Sequence, residues 1–177
     1  MNLANKLTII RMILVPIYAV VFLYTDWSIL ALALFVIAAL TDLADGYIAR
    51  QYSMITTLGK FIDPLADKLL TLTAFVLFTY FGLINPLLVI IIIARELIIS
   101  VFRAVAASKQ VVIAAGNYGK LKTVLQISAI VMIHLYVIMG RSPDIIYWLV
   151  VAAMVAMTVI SGADYIYRNR QVLDEEQ

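Results

Sequence analysis

Apolar residues along this chain come in runs about long enough to cross a bilayer, broken by short polar stretches. A spanning helix needs roughly 20 mostly apolar residues. Hydrocarbon offers no water to a bare backbone, so such runs are expected to be helices. The pattern predicts six, at about 7–24, 27–50, 60–82, 86–108, 121–140 and 144–167. The third and fourth are continuous in hydropathy, because Leu69–Ala94 carries no charge. Asn85-Pro86, following Gly82, is a turn signal that divides them. The first run is short unless it extends back past Arg11. Residues 1–10 are expected at the interface, with Lys6 and Arg11 among the headgroups. Met12–Thr25 lacks an A-x-A-like cleavage site and leads into further apolar sequence, so it reads as a retained span rather than a signal peptide.

Composition agrees with an all-α membrane protein forming one domain over 1–177. Hydrophobic residues make up 64% and charged residues 14%, where a soluble domain has about half and a quarter. The absence of cysteine excludes disulfides, thiolate metal sites and cysteine nucleophiles. His134 is the single histidine. It lies within an apolar run and reads as a packing residue. Ser100 and Ser161 have no base nearby in the sequence, which argues against a serine nucleophile. The distribution of charge says more than the net +2. With the N-terminus inside, Lys6, Arg11, Arg50, Lys60, Lys109, Lys120, Lys122, Arg168 and Arg170 fall at cytoplasmic ends, and external turns hold only Arg141. Tyr24, Trp27, Tyr80, Tyr147 and Trp148 then gather at the outer ends as an aromatic belt. Both termini are expected in the cytoplasm, with the protein in the cell membrane and no nucleic-acid partner.

Ionisable residues inside apolar spans are costly and by default point to function. Asp42 and Asp45, at i, i+3, share a face near the cytoplasmic end of the second span. Asp63 and Asp67, at i, i+4, do the same at the start of the third. The short connection Gln51–Gly59 is expected to bring the two helices together antiparallel, with both pairs at similar depth. Four carboxylates in a small volume repel one another, and hard divalent cations relieve that. An all-oxygen donor set suits Mg²⁺, Mn²⁺ or Ca²⁺. Two ions could share bridging carboxylates and neutralise a pyrophosphate. The simpler alternative is a set of salt bridges with Arg50, Lys60 and Lys68.

The segment from Asp42 to Asp67 reads D-x2-D-G-x2-A-R-x8-G-x3-D-x3-D, with eight fixed positions over 26 residues. It resembles the signature of the CDP-alcohol phosphatidyltransferase family without a departure. The resemblance implies six membrane helices, a cytoplasm-facing polar cavity and a homodimer. It implies that Asp42, Asp45 and Asp63 ligate Mg²⁺ or Mn²⁺, two ions per site. Asp67 would be the general base and would also touch a second metal. Gly46, Ala49, Arg50 and Gly59 would line the CDP-lipid site. The chemistry fits these roles. A glycine lets a nucleotide approach a helix closely, and Arg50 can grip a diphosphate through a forked pair of hydrogen bonds.

The second half of the chain bears on the acceptor. Arg95-Glu96 sits in the fourth span, Arg103 lies two turns later, and the fifth opens with Gly119-Lys120-Leu-Lys122-Thr123. Arg95, Arg103, Lys120 and Lys122 would reach the cytoplasmic level of the aspartates. A basic cluster there suits an anionic acceptor, and the bland alternative is positive-inside anchoring. Glu96 is expected to pair with a basic neighbour, and Asp164 with Arg168 at i, i+4. The ARE…FR…GK-x-KT pattern and Asn5-Lys-Leu-Thr8-Ile-Ile-Arg11 resemble family members that use sn-glycerol 3-phosphate. On that resemblance Arg95, Arg103 and Lys120 would hold its phosphate, while Asn5, Thr8 and Arg11 would help close the donor site. CDP-diacylglycerol, entering from the membrane lipid, would be converted to phosphatidylglycerophosphate and CMP. The alternatives are a sister transferase acting on inositol phosphate, serine or phosphatidylglycerol, an inactive paralogue serving as a partner subunit, and a divalent-cation transporter. The transporter would have no use for Gly46, Ala49, Arg50 and Gly59 at fixed spacing.

Overall fold

The computed structural model describes residues 3–51, 57–111, 113 and 116–172, with backbone alone for 3–7, 42–51, 57–64 and 67. The described residues form six α-helices and no strand: α1 (Leu3–Tyr24), α2 (Ser28–Gln51), α3 (Thr57–Tyr80), α4 (Pro86–Ser108), α5 (Asn117–Ile138) and α6 (Ile145–Arg168). A 3-10 turn, Arg170–Val172, follows. Each helix covers one of the apolar runs. The helices α1, α3 and α5 begin several residues before their runs, because polar residues can continue the backbone hydrogen bonding that hydropathy does not register. Two helices, α5 and α6, are long and apolar enough to cross a membrane by length and composition. Shorter apolar helical stretches lie at Thr8–Tyr24, Ser28–Thr41 and Lys68–Tyr80. The apolar run of α4 is interrupted by Arg95, Glu96 and Arg103.

The helix ends follow local chemistry. Gly82 takes a left-handed φ of +69° just past α3, a conformation that costs a residue without Cβ little. Asn85 then caps α4, its side-chain oxygen accepting from Leu87 N at 2.8 Å, with Pro86 at the first helical position. Asp144 caps α6 by accepting from Tyr147 N at 3.0 Å.

The chain divides into two compact units. The first comprises Met1–Gly82 with His134–Arg141, and the second Leu83–Ile133 with Ser142–Gln177. In the first, α1 packs along α2 and α3. Buried Ala31, Ala38, Ala66 and Ala74 keep the backbones close. Its centre is aromatic. His134 is fully buried, with the rings of Phe78, Phe22, Tyr18 and Phe35 at 5.1, 5.3, 5.8 and 5.9 Å. The Tyr18 hydroxyl and His134 Nε2 are hydrogen bonded at 3.2 Å. His134 is therefore the satisfied packing residue anticipated. Arg11 departs from expectation, being wholly buried rather than set among headgroups. The reason is that α1 runs on unbroken for two further turns before Arg11, so this position lies within the packed helix and not at its end.

In the second unit α4 packs on α6. Ile99, Phe102, Ala106, Tyr165 and Val172 form a buried cluster. The Lys109 ammonium donates to the Val172 carbonyl at 2.9 Å, tying the 3-10 turn to the end of α4. Tyr147, expected in an outer aromatic belt, is instead buried, and its hydroxyl donates to the Leu83 carbonyl at 2.5 Å. Tyr24, Trp27, Tyr80 and Trp148 are exposed.

Candidate active site

Asp42 and Asp45 fall in the last three turns of α2, and Asp63 and Asp67 in the first three turns of α3. The two helices pack together, and only residues 52–56 separate them in the chain. Helical backbone through all four positions provides the i, i+3 and i, i+4 spacings that put each pair on one face. The side chains of all four aspartates lie outside the described residues, as do those of Asn5, Ala49 and Arg50 and the surroundings of Gly46 and Gly59. Among the described side chains no three His, Cys, Asp or Glu residues come together. The donor set itself, carboxylates alone, fits a hard divalent cation. Thr8 and Arg11 are buried three residues apart on α1, hence on one face.

The side chains of the basic cluster lie among the described residues. Glu96 on α4 is its hub. One carboxylate oxygen, Oε1, accepts from Arg95 Nη1 at 3.2 Å and from Lys122 Nζ at 2.5 Å. All three side chains are largely removed from solvent. Such groups are kept buried only when paired, since an isolated charge there is expensive. Glu96 thus has the basic neighbour expected of it. Lys122, which as an anchor would face headgroups, points into the unit. Arg95 Nη2 donates to Ser161 Oγ on α6 at 3.1 Å. Its Nε is buried and makes no hydrogen bond among the described residues. Arg103 is exposed. Its Nε donates to the Tyr165 hydroxyl at 3.2 Å, and its guanidinium carbon lies 5.3 Å from the centre of that ring. Lys120 is exposed in the first turn of α5. Asp164 and Arg168 form the i, i+4 pair foreseen, at 2.7 Å on the surface.

The structure therefore brings Arg95 and Lys122 together through Glu96, two turns of α4 from Arg103. Three α6 residues that touch these arginines, Ser161, Gly162 and Tyr165, had no place in the sequence-based site. Their one sequence signal is a Ser-Gly step within an apolar run, which marks close helix approach but not what approaches.

Comparison with known proteins bears on the chemistry. Residues 1–160 match the family model described as CDP-alcohol phosphatidyltransferase. A Bacillus subtilis (strain 168) protein named CDP-diacylglycerol--glycerol-3-phosphate 3-phosphatidyltransferase is 36% identical, with 97% of each chain covered. A Rickettsia typhi protein of the same name is 34% identical over 93% of this chain and 94% of its own. A Mycobacterium tuberculosis (strain CDC 1551 / Oshkosh) protein named "Probable phosphatidylglycerophosphate synthase" is 37% identical over 94% of this chain and 81% of its own.

Proposed function

The chain belongs to the CDP-alcohol phosphatidyltransferase family, and from that premise we propose that it transfers the phosphatidyl group of CDP-diacylglycerol to sn-glycerol 3-phosphate, releasing CMP. The observation that carries this reading is the unbroken aspartate signature on the adjoining ends of α2 and α3, in a chain whose near full-length relatives bear the name of this reaction.

In this reading Asp42, Asp45 and Asp63, with a share from Asp67, would hold Mg²⁺ or Mn²⁺. When bound, the ions supply Lewis-acid neutralisation of the diphosphate charge. Arg50 binds the diphosphate through its fork, and Gly46, Ala49 and Gly59 leave room for the cytidine. Asn5, Thr8 and Arg11 close the donor side from α1. Arg95, Arg103 and Lys120 bind the phosphate of the acceptor, while Lys122 holds Glu96 and through it Arg95. Asp67 accepts the proton of the acceptor's primary hydroxyl. That oxygen bonds to the lipid-bearing phosphorus as the phosphorus–oxygen bond to CMP breaks, and CMP leaves with the electron pair. The site faces the cytoplasm of a six-span membrane protein, and two copies associate.

The test is CMP release from purified protein given CDP-diacylglycerol and Mg²⁺ or Mn²⁺ with glycerol 3-phosphate, serine, inositol phosphate or phosphatidylglycerol in parallel. Release with glycerol 3-phosphate alone supports the reading. Release only with another acceptor removes the assigned acceptor, and no release with any of them removes the transferase.

A further inference from the structure

We propose that one face of α6, built from Ser161, Gly162 and Tyr165, is the seat that positions Arg95 and Arg103 for a phosphate monoester. The proposal rests on the glycerol 3-phosphate reading above and adds the residues that hold the arginines of its acceptor site. Positions 161, 162 and 165 lie on one side of a helix, and the two arginines lie eight residues, about two turns, apart on α4.

Each seat residue makes a distinct contact. The Ser161 hydroxyl donates to the Thr158 carbonyl at 3.1 Å, which turns its lone pairs toward Arg95 Nη2. Gly162 leaves space for the stem of the same arginine. A Cβ at this position would stand 3.1 Å from Arg95 Cγ and 3.7 Å from its Nε, so a side chain there displaces the arginine stem by a few tenths of an ångström. Tyr165 accepts from Arg103 Nε and presents its ring to the guanidinium. It is buried and braced edge-on by Phe102, with ring centres 5.8 Å apart.

These contacts orient the arginines without exhausting them. A guanidinium has five N–H donors, and Arg95 commits one to Glu96 and one to Ser161. Arg103 commits Nε, not the terminal pair that grips a phosphate as a fork. Apolar packing of α6 on α4 would need neither a hydroxyl under Arg95 nor one at Arg103. A seat for cations does, and two oriented guanidiniums match the doubly charged phosphate of a monoester better than a carboxylate or a neutral polyol.

The experiment measures KM for glycerol 3-phosphate and for CDP-diacylglycerol in Ser161→Ala, Gly162→Ala and Tyr165→Phe. Each single variant should raise the acceptor KM roughly three- to ten-fold, as expected for one lost hydrogen bond or a displacement of a few tenths of an ångström. The donor KM should stay unchanged. Gly162→Ala should have no further effect on acceptor KM in an Arg95→Ala background, because its route is through that arginine. Should Gly162→Ala not fold, the other two variants carry the test, since each removes a single oxygen. Acceptor KM values within two-fold of wild type, or equal rises for both substrates, overturn the seat while wild-type turnover leaves the transferase intact. A wild-type protein that ignores glycerol 3-phosphate overturns both.

Discussion

Replacing Glu96 by Gln keeps its shape and removes a negative charge that two cations share. Glu96 Oε1 lies 3.2 Å from Arg95 Nη1 and 2.5 Å from Lys122 Nζ, and the Arg95, Lys122 and Glu96 side chains are 13%, 8% and 7% exposed. The variant leaves an ammonium and a guanidinium facing a neutral amide, with little water to screen them. Breaking a buried ion pair by removing one partner costs about 3–5 kcal/mol. Arg95 is the wetter partner, so a value near the lower end, about 3 kcal/mol, is expected. For a chain of this size each kcal/mol moves the melting temperature by about 2–4 °C. Glu96→Gln should therefore melt roughly 6–12 °C below wild type. The assay is thermal unfolding in a mild detergent, followed by the circular dichroism of the helices. The double variant Glu96→Leu, Lys122→Met removes the lysine pair but leaves Arg95 without its carboxylate, so it should regain only part of the loss. A fall of less than about 2 °C for Glu96→Gln would refute the reasoning, because it would mean that Glu96 is not what compensates Lys122 and Arg95.

Asp67→Asn should lower kcat by about 10²–10⁴-fold, the usual span for a positioned base, with CDP-diacylglycerol still bound; wild-type turnover would remove Asp67 from that role. Chelation with EDTA should abolish CMP release, and Mg²⁺ or Mn²⁺ should restore it, as an all-oxygen donor set requires; activity that survives chelation would count against a metal at the aspartates. His134→Ala should cost about 2–4 kcal/mol through the cavity left among four aromatic rings. His134→Phe should lose about 1–3 kcal/mol by leaving the buried Tyr18 hydroxyl without its partner, and unchanged melting of both variants would contradict the packing role. Arg168→Ala should leave melting and kinetics unaltered, because its pair with Asp164 is solvent-exposed.

Much of the architecture could be read from the chain alone. A helix in an apolar medium must satisfy its own backbone, so run length located six helices, and Asn85-Pro86 marked where α3 and α4 part. The aspartate signature is likewise a matter of local spacing. Once α2 and α3 are helical through those positions, i, i+3 and i, i+4 steps align each pair on a face wherever the helices go.

Which charged group meets which was decided only in three dimensions. Hydropathy sums along a segment and does not record which side of a helix turns toward which neighbour. Lys122 read as part of an acceptor-binding cluster, with anchoring as the alternative, and is buried on Glu96, and Arg11 had the signature of a headgroup cation and is buried in α1. The seat for Arg95 depends on Ser161, 66 residues away, and the core around His134 depends on Tyr18, 116 residues away. Local composition determined that α4 carries cations in an apolar run. The packing of α6 determined where those cations rest, because only a second helix can supply the hydroxyl, the missing side chain and the ring that hold them.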